Sequence, residues 1–255
     1  MADTAAYIEV AGVRTWHEVS GEGEPVVLLH GAFGGARSFF AQTPALVEAG
    51  YRVYAPERRG HMHTPDVDGP LTYGVMADDT IAYLDQELDG PVHLVGWSDG
   101  AVVGLLVAQR RPDLVRRMVL IGQYYNSSGK VPGSTIEEDL ASPDADALGF
   151  LREEYDRVSP DGPDHFAVVH AKTMHMIRTE PEIDLASLSD VAVPTLVLQG
   201  DRDEVTLEHS RAVVATLPDA RLAVLPGTHG LPLESPEVVN PLLVQFLRGG
   251  PQPAW

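Results

Sequence analysis

The sequence predicts an α/β fold with a mostly parallel sheet covered by helices on both faces. Two observations predict it: short, continuously apolar runs such as PVVLL and TLVLQ, and their regular alternation with longer helix-like segments. A third observation predicts an insertion, because the strand-like runs stop for roughly seventy residues, far more than an ordinary connection needs. With 255 residues the chain suits one large domain that buries its own core.

Taken in order, residues 7–10 and 13–18 flank Ala11-Gly12 and form an expected N-terminal hairpin. Core strands are expected at 25–29, 51–55, 91–95, 118–121, 195–199 and 221–225. Helices are expected at 39–49, 75–87, 101–110, 209–216 and 236–247. Between Gly122 and Pro194 the patterns STIEEDLA, DADALGFLREEYDRV and DHFAVVHAKTMHMIR are acidic, proline-containing and helical. They predict a helical cap at 123–190, set between core segments 1–122 and 191–255. The closing GGPQPAW is expected to fray.

Composition narrows the function classes. The chain has no cysteine, which excludes disulfides, thiolate nucleophiles and zinc-thiolate sites. A formal charge of −19 disfavours nucleic acid, anionic lipid and polyanionic substrates. The opening MADTAAYIEV lacks a signal-peptide pattern and no run approaches a membrane span, so a cytoplasmic protein is expected.

In an open α/β sheet, ligands bind beyond the carboxyl ends of the strands, so the residues just after each strand carry the chemistry. Four such stretches are informative: His30-Gly31-Ala32-Phe33-Gly34-Gly35, Gly96-Trp97-Ser98-Asp99-Gly100, Gly200-Asp201-Arg202-Asp203 and Pro226-Gly227-Thr228-His229-Gly230. Ser98 sits where strand becomes helix, a place where serine serves as an ordinary N-cap. Gly96 and Gly100 exceed what a cap requires, because small residues on both sides permit a sharp turn that exposes the hydroxyl. A nucleophile, an acid and a base thus stand at three strand ends in the order Ser, Asp, His, with Asp201 and Asp203 both in place for the acid.

These motifs and their order closely resemble the α/β-hydrolase superfamily over nearly the whole chain. The resemblance implies that fold, with Ser98 as nucleophile, His229 as general base and then acid, and Asp203 as the orienting carboxylate. Asp203 is selected over Asp201 by the family's G-x-x-D turn; Asp201 then forms the turn itself. It also implies an oxyanion hole from the backbone N–H groups of Ala32 and Asp99, with His30 structural beneath that loop. Serine at 98 sets the chain apart from the dehalogenases and epoxide hydrolases of the superfamily, which use an aspartate there. The implied activity is cofactor-independent hydrolysis of small-molecule carboxylic esters through an acyl-serine. Thioesterase, lactonase, amidase, perhydrolase and carbon–carbon hydrolase activities, or a weakly catalytic small-molecule receptor, are the alternatives on the same scaffold.

Other residues are weighed beside the triad. His61 and His63 have a spacing compatible with a metal, but no clear third ligand accompanies them, and no metal is expected. Their loop departs from the family pattern, with Met62 in place of a usual glycine and Glu57 in place of a usual aspartate. His165, His170 and His175 recur every five residues and fan around a helix. Phe166, Val169, Met174 and Ile177 share one side of that helix, either as cap packing or as a substrate wall. Phe33, Trp97, Asp99, Phe166 and Met174 form the expected substrate-contacting set. For Asp99 there are two readings: a charge favoured at a helix N-terminus, or a partner for a substrate amino group. The second is implied by the similarity of GWSDG to the biphenyl-hydrolase-like amino-acid-ester hydrolases.

Overall fold

The computed structural model describes residues 3–134 and 136–249. Eight strands form one sheet in the order β1-β2-β4-β3-β5-β6-β7-β8. They are β1 (Thr4–Val10), β2 (Val13–Ser20), β3 (Glu24–Leu29), β4 (Tyr51–Pro56), β5 (Val92–Trp97), β6 (Val115–Ile121), β7 (Thr195–Gly200) and β8 (Ala220–Leu225). The first two pair antiparallel and β2 joins β4 antiparallel, while every later pairing is parallel.

The helices are α1 (Gln42–Glu48), α2 (Tyr73–Glu87), α3 (Asp99–Arg110), α4 (Ile136–Asp139), α5 (Gly149–Val158), α6 (Phe166–Thr179), α7 (Leu207–Thr216), α8 (Leu231–Glu234) and α9 (Pro236–Arg248). Alternate residues of β3 divide between the faces. Val26 and Leu28 pack with Leu46 of α1 and Leu243 of α9, whereas Val27 and Leu29 pack with Met76 of α2 and Val103 of α3. Burial on both faces is why the core strands read as continuous apolar runs rather than alternating ones. Helix α3 is buried from Asp99 through Ala108, which explains its apolar character all round.

Two expectations are corrected. The helix expected at 39–49 is instead a 3-10 turn, Ala36–Phe39, followed by α1. Starting at Gln42 places Pro44 in the first turn, where its missing N–H costs no intrahelical bond. Phe40 therefore stands 67% exposed between the two pieces. The insert is also not all cap: Ile183, Leu188 and the partly buried Tyr124 and Tyr125 belong to the main core cluster. Glu180 accepts the Tyr73 N–H at the start of α2 over 2.9 Å, capping a core helix from the insert.

Other residues of the insert pack on loops of the core. Leu148, Tyr155, Phe166, Val169 and Met174 form a separate cluster with Phe33 and Met62 of the core loops. Asp66, in the loop after β4, accepts from Lys172 (2.7 Å) and His165 (2.9 Å), tying α6 and the turn before it to the core. Of the closing stretch, residues 250–255 lie outside the described residues.

Candidate active site

Ser98 joins β5 to α3 with φ 56° and ψ −121°, a conformation costly for any residue with a β-carbon. Its neighbours make that turn possible. A β-carbon on Gly100 would overlap the Leu29 carbonyl oxygen, and one on Gly96 would overlap that of Gly100. Gly31 also lies against Ser98, since a β-carbon there would be 3.3 Å from that of the serine. The spacing of Gly96 and Gly100 thus reflects two close backbone approaches on either side of Ser98.

His229 follows β8 and Asp203 follows β7, adjacent strands at the same sheet end. The His229 Nδ1–H donates to Asp203 Oδ1 over 2.9 Å, and that oxygen also accepts the Val205 N–H at 3.1 Å. Asp203 is buried, whereas Asp201 is exposed and accepts the Gly227 N–H at 3.0 Å, holding the loop that carries His229. Burial pulls the His229 pKa down, but the hydrogen bond and charge of Asp203, with Glu204 and Asp99, outweigh it, and the net shift is upward.

Ser98 and His229 line one cavity of about 1600 Å³, together with Ala32, Phe33, Trp97 and Asp99. Among the described residues neither the Ala32 nor the Asp99 backbone N–H has a hydrogen-bond acceptor. Phe166 and Met174 are different: both are almost fully buried in the cluster behind Phe33, outside the cavity wall. The stripe of α6 faces the Phe33 and Met62 loops, and only Ile177 at its end reaches the cavity. Ile136, Leu140, Ala147, Leu148, Phe150 and Leu151 also contribute to the insert's apolar wall.

Several positioning roles were not evident from the sequence. Gly122, after β6, has φ 60°, and a β-carbon there would lie 2.7 Å from the His229 ring. Trp97 donates its indole N–H to the His229 carbonyl at 2.8 Å. Arg58 is buried and bonds the His30 and Gly31 carbonyls, while its own N–H donates to His30 Nε2 at 3.1 Å. Glu57 accepts the Ala36 N–H at 3.2 Å and is held by the His63 N–H at 2.7 Å. Residues 57 and 58 therefore grip both ends of the loop that carries Ala32. A glycine after a strand and an RRG stretch were the only signals of these roles in the sequence.

Met62 takes φ 49°, the conformation glycine adopts freely, and its strain is offset by packing against the Phe33 cluster. His61 and His63 turn to different partners, the Arg59 carbonyl and the Glu57 carboxylate. Burial, reinforced by Arg58, lowers His61 to about 3, and His30 is likewise held neutral.

Asp99 has its carboxylate turned inward. Oδ1 accepts the Tyr73 hydroxyl at 2.7 Å with Tyr124 at 3.5 Å, and Oδ2 has no hydrogen-bond partner among the described residues. Burial raises its pKa, opposed first by the charge of Arg58 and then by Tyr73. The charge of Arg58 is thus the chief influence that favours the ionised form of Asp99. Asp99→Asn is expected to lower kcat/KM for neutral and amino esters alike, on the order of tenfold, or about 1.4 kcal/mol. A loss confined to amino esters would instead assign Oδ2 to a substrate ammonium.

Comparison with known proteins places this geometry in a family. Residues 26–242 match the model of the alpha/beta hydrolase family. The human serine hydrolase BPHL is 28% identical over 96% of this chain and 87% of its own length. A pyrrolizixenacetamide deacetylase from Xenorhabdus hominickii is 27% identical over 94% of this chain and 97% of its own. The structure of an esterase from Exiguobacterium antarcticum superposes with a TM-score of 0.78 at 22% identity, covering 96% of this chain and all of that one, a likeness of fold alone. With the family model spanning most of its length, this chain belongs to the alpha/beta hydrolase family.

Proposed function

We propose that the protein hydrolyses small-molecule carboxylic esters with Ser98, His229 and Asp203 as a triad and Ala32 and Asp99 as the oxyanion donors. One observation carries the reading: a serine held in left-handed conformation at the cavity floor shares that cavity with a histidine whose far nitrogen is engaged by a buried carboxylate. A serine hydroxyl is a weak nucleophile until a neighbouring imidazole takes its proton. In this reading His229 Nε2 accepts the Ser98 proton as Oγ bonds to the carbonyl carbon. The charge that moves onto the carbonyl oxygen meets the two backbone N–H groups. Collapse breaks the ester C–O bond, and the alcohol leaves with the proton from His229. Water then repeats the sequence on the acyl-serine and releases the acid. Asp203 fixes the productive tautomer throughout.

Stoichiometric labelling of Ser98 by a fluorophosphonate, with turnover of p-nitrophenyl esters, is the expected result. A folded protein that resists the label would favour the receptor alternative. Because the base must be unprotonated, kcat/KM should rise with pH through an apparent pKa above the ordinary histidine value, following the upward shift of His229. A limb at or below that value would remove the carboxylate's influence from the reading.

A further inference from the structure

Part of the exposed apolar surface of this protein lies along the cavity of Ser98. Of the seven that stand exposed among the described residues, both phenylalanines and the leucine, Phe40, Phe150 and Leu233, line the cavity of Ser98. Phe40 is 67% exposed and Phe150 74%. Neither exposure is required by packing. Phe39 fills the inward position of its 3-10 turn, and Tyr155 is the buried residue of α5. Clustered exposed apolar surface marks a binding surface, whereas scattered residues do not.

The cavity also reaches far beyond the nucleophile. Its wall continues past Phe40 and Val47 to Ala5 and Gly21 at the β1–β2 edge. At about 1600 Å³ it exceeds the ~300–1,000 Å³ usual for small-molecule sites. Charge on the wall is one-sided in effect. Arg37 and Arg157 pair with Glu154, and Lys130 pairs with Glu137. Glu48, Glu153 and Glu204 line the same cavity with no ion-pair partner among the described residues. A substrate carboxylate would meet unpaired carboxylates there, and each wall cation is already engaged.

We infer that the outer cavity is a subsite for an extended apolar chain of the substrate, uncharged at its far end, gripped by Phe40 and Phe150. The inference rests on the ester-hydrolase reading only for where the reacting group lies. The occupant is the substrate's own chain because the apolar rim is continuous with the reactive cavity, and the formal charge of −19 opposes docking on an anionic bilayer.

Hydrolysis of p-nitrophenyl acetate, butyrate, hexanoate, octanoate and decanoate by the protein supplies the first test. The specificity constant is expected to climb by up to about fourfold per added methylene, the worth of burying it. The decanoate-to-acetate ratio should fall at least about tenfold in Phe40→Ser/Phe150→Ser, and hold in Val168→Ser, an exposed apolar residue away from the cavity. An identical ratio in the double variant overturns the inference.

Calorimetry with Ser98→Ala supplies a second test that needs no chemistry. Decanol should bind and 10-hydroxydecanoate, with its carboxylate at the far end, about tenfold more weakly, with the gap narrowing at high salt, and Phe40→Ser/Phe150→Ser should weaken decanol. If no ester is cleaved yet decanol binding depends on the two phenylalanines, the hydrolase reading fails and the subsite stands. If esters are cleaved and decanol binding ignores the phenylalanines, the reverse holds. Loss of phosphatidylcholine-vesicle flotation or of self-association in the double variant, with decanol binding unchanged, gives the rim to a bilayer or a second copy and overturns the inference.

Discussion

Ser98→Ala and His229→Ala are each expected to lower kcat against p-nitrophenyl esters by about a millionfold, and the double variant to lose no more than either alone. The loss is shared because the hydroxyl is useful only while the imidazole takes its proton, and the imidazole's later donation to the leaving alcohol has nothing to act on without the serine. Folding should survive both changes. Alanine keeps the β-carbon of Ser98, so the strain of φ 56° remains as it was, and among the described residues the hydroxyl holds no hydrogen bond. His229 lines a cavity and leaves its Asp203 partner still bonded to the Val205 N–H. Steady-state kinetics with thermal unfolding of the same samples checks the expectation. Additive losses in the double variant would mean that the two residues do not act as one device.

The acid of the triad offers the second large effect. Asp203→Asn is expected to cut kcat by about ten-thousandfold, because an amide can present its N–H₂ to Nδ1 and select the unproductive tautomer. It should also move the acid limb of the pH profile downward. Burial alone lowers the His229 pKa, and Asp203 is the chief group that overrides it. Asp201→Asn should change kcat by no more than about threefold, since an asparagine oxygen can still accept the Gly227 N–H that Asp201 accepts. Measuring the two variants side by side decides the assignment, and a reversal of their effects would transfer the role to Asp201.

Much of the fold was legible because its signals are local. Val26 to Leu29 alternate between two buried faces, so the strand had to be apolar throughout, and β5, β6 and β7 share that reason. The residues just after those strands stand together because parallel strands end at one edge of the sheet. That geometry makes Ser98, His229 and the pair Asp201 and Asp203 readable as a set before any distance is known. Pro44 was the signal that should have shortened the helix expected at 39–49, since it is tolerated only near a helix start.

The rest depended on what each face meets. A helical period shows that Phe166 and Met174 share a side of α6, but not that this side closes against Phe33 and Met62 instead of facing the cavity. Likewise nothing local distinguishes Phe40 and Phe150 from core phenylalanines, or announces that Ile183 and Leu188 return to the main core.

The amino-acid order by itself determined the sheet, the glycine-bounded elbow and the succession of serine, aspartate and histidine at strand ends, because each follows from residue types at fixed spacing along the chain. Only the tertiary structure decided that Asp203 rather than Asp201 meets His229, that Glu57 and Arg58 grip the Ala32 loop, and that Asp99 turns toward Tyr73. The physical reason is common to all three. A hydrogen bond or a buried charge pair is set by which side chains converge across distant elements, and that convergence exists only after the sheet has brought its strand ends together.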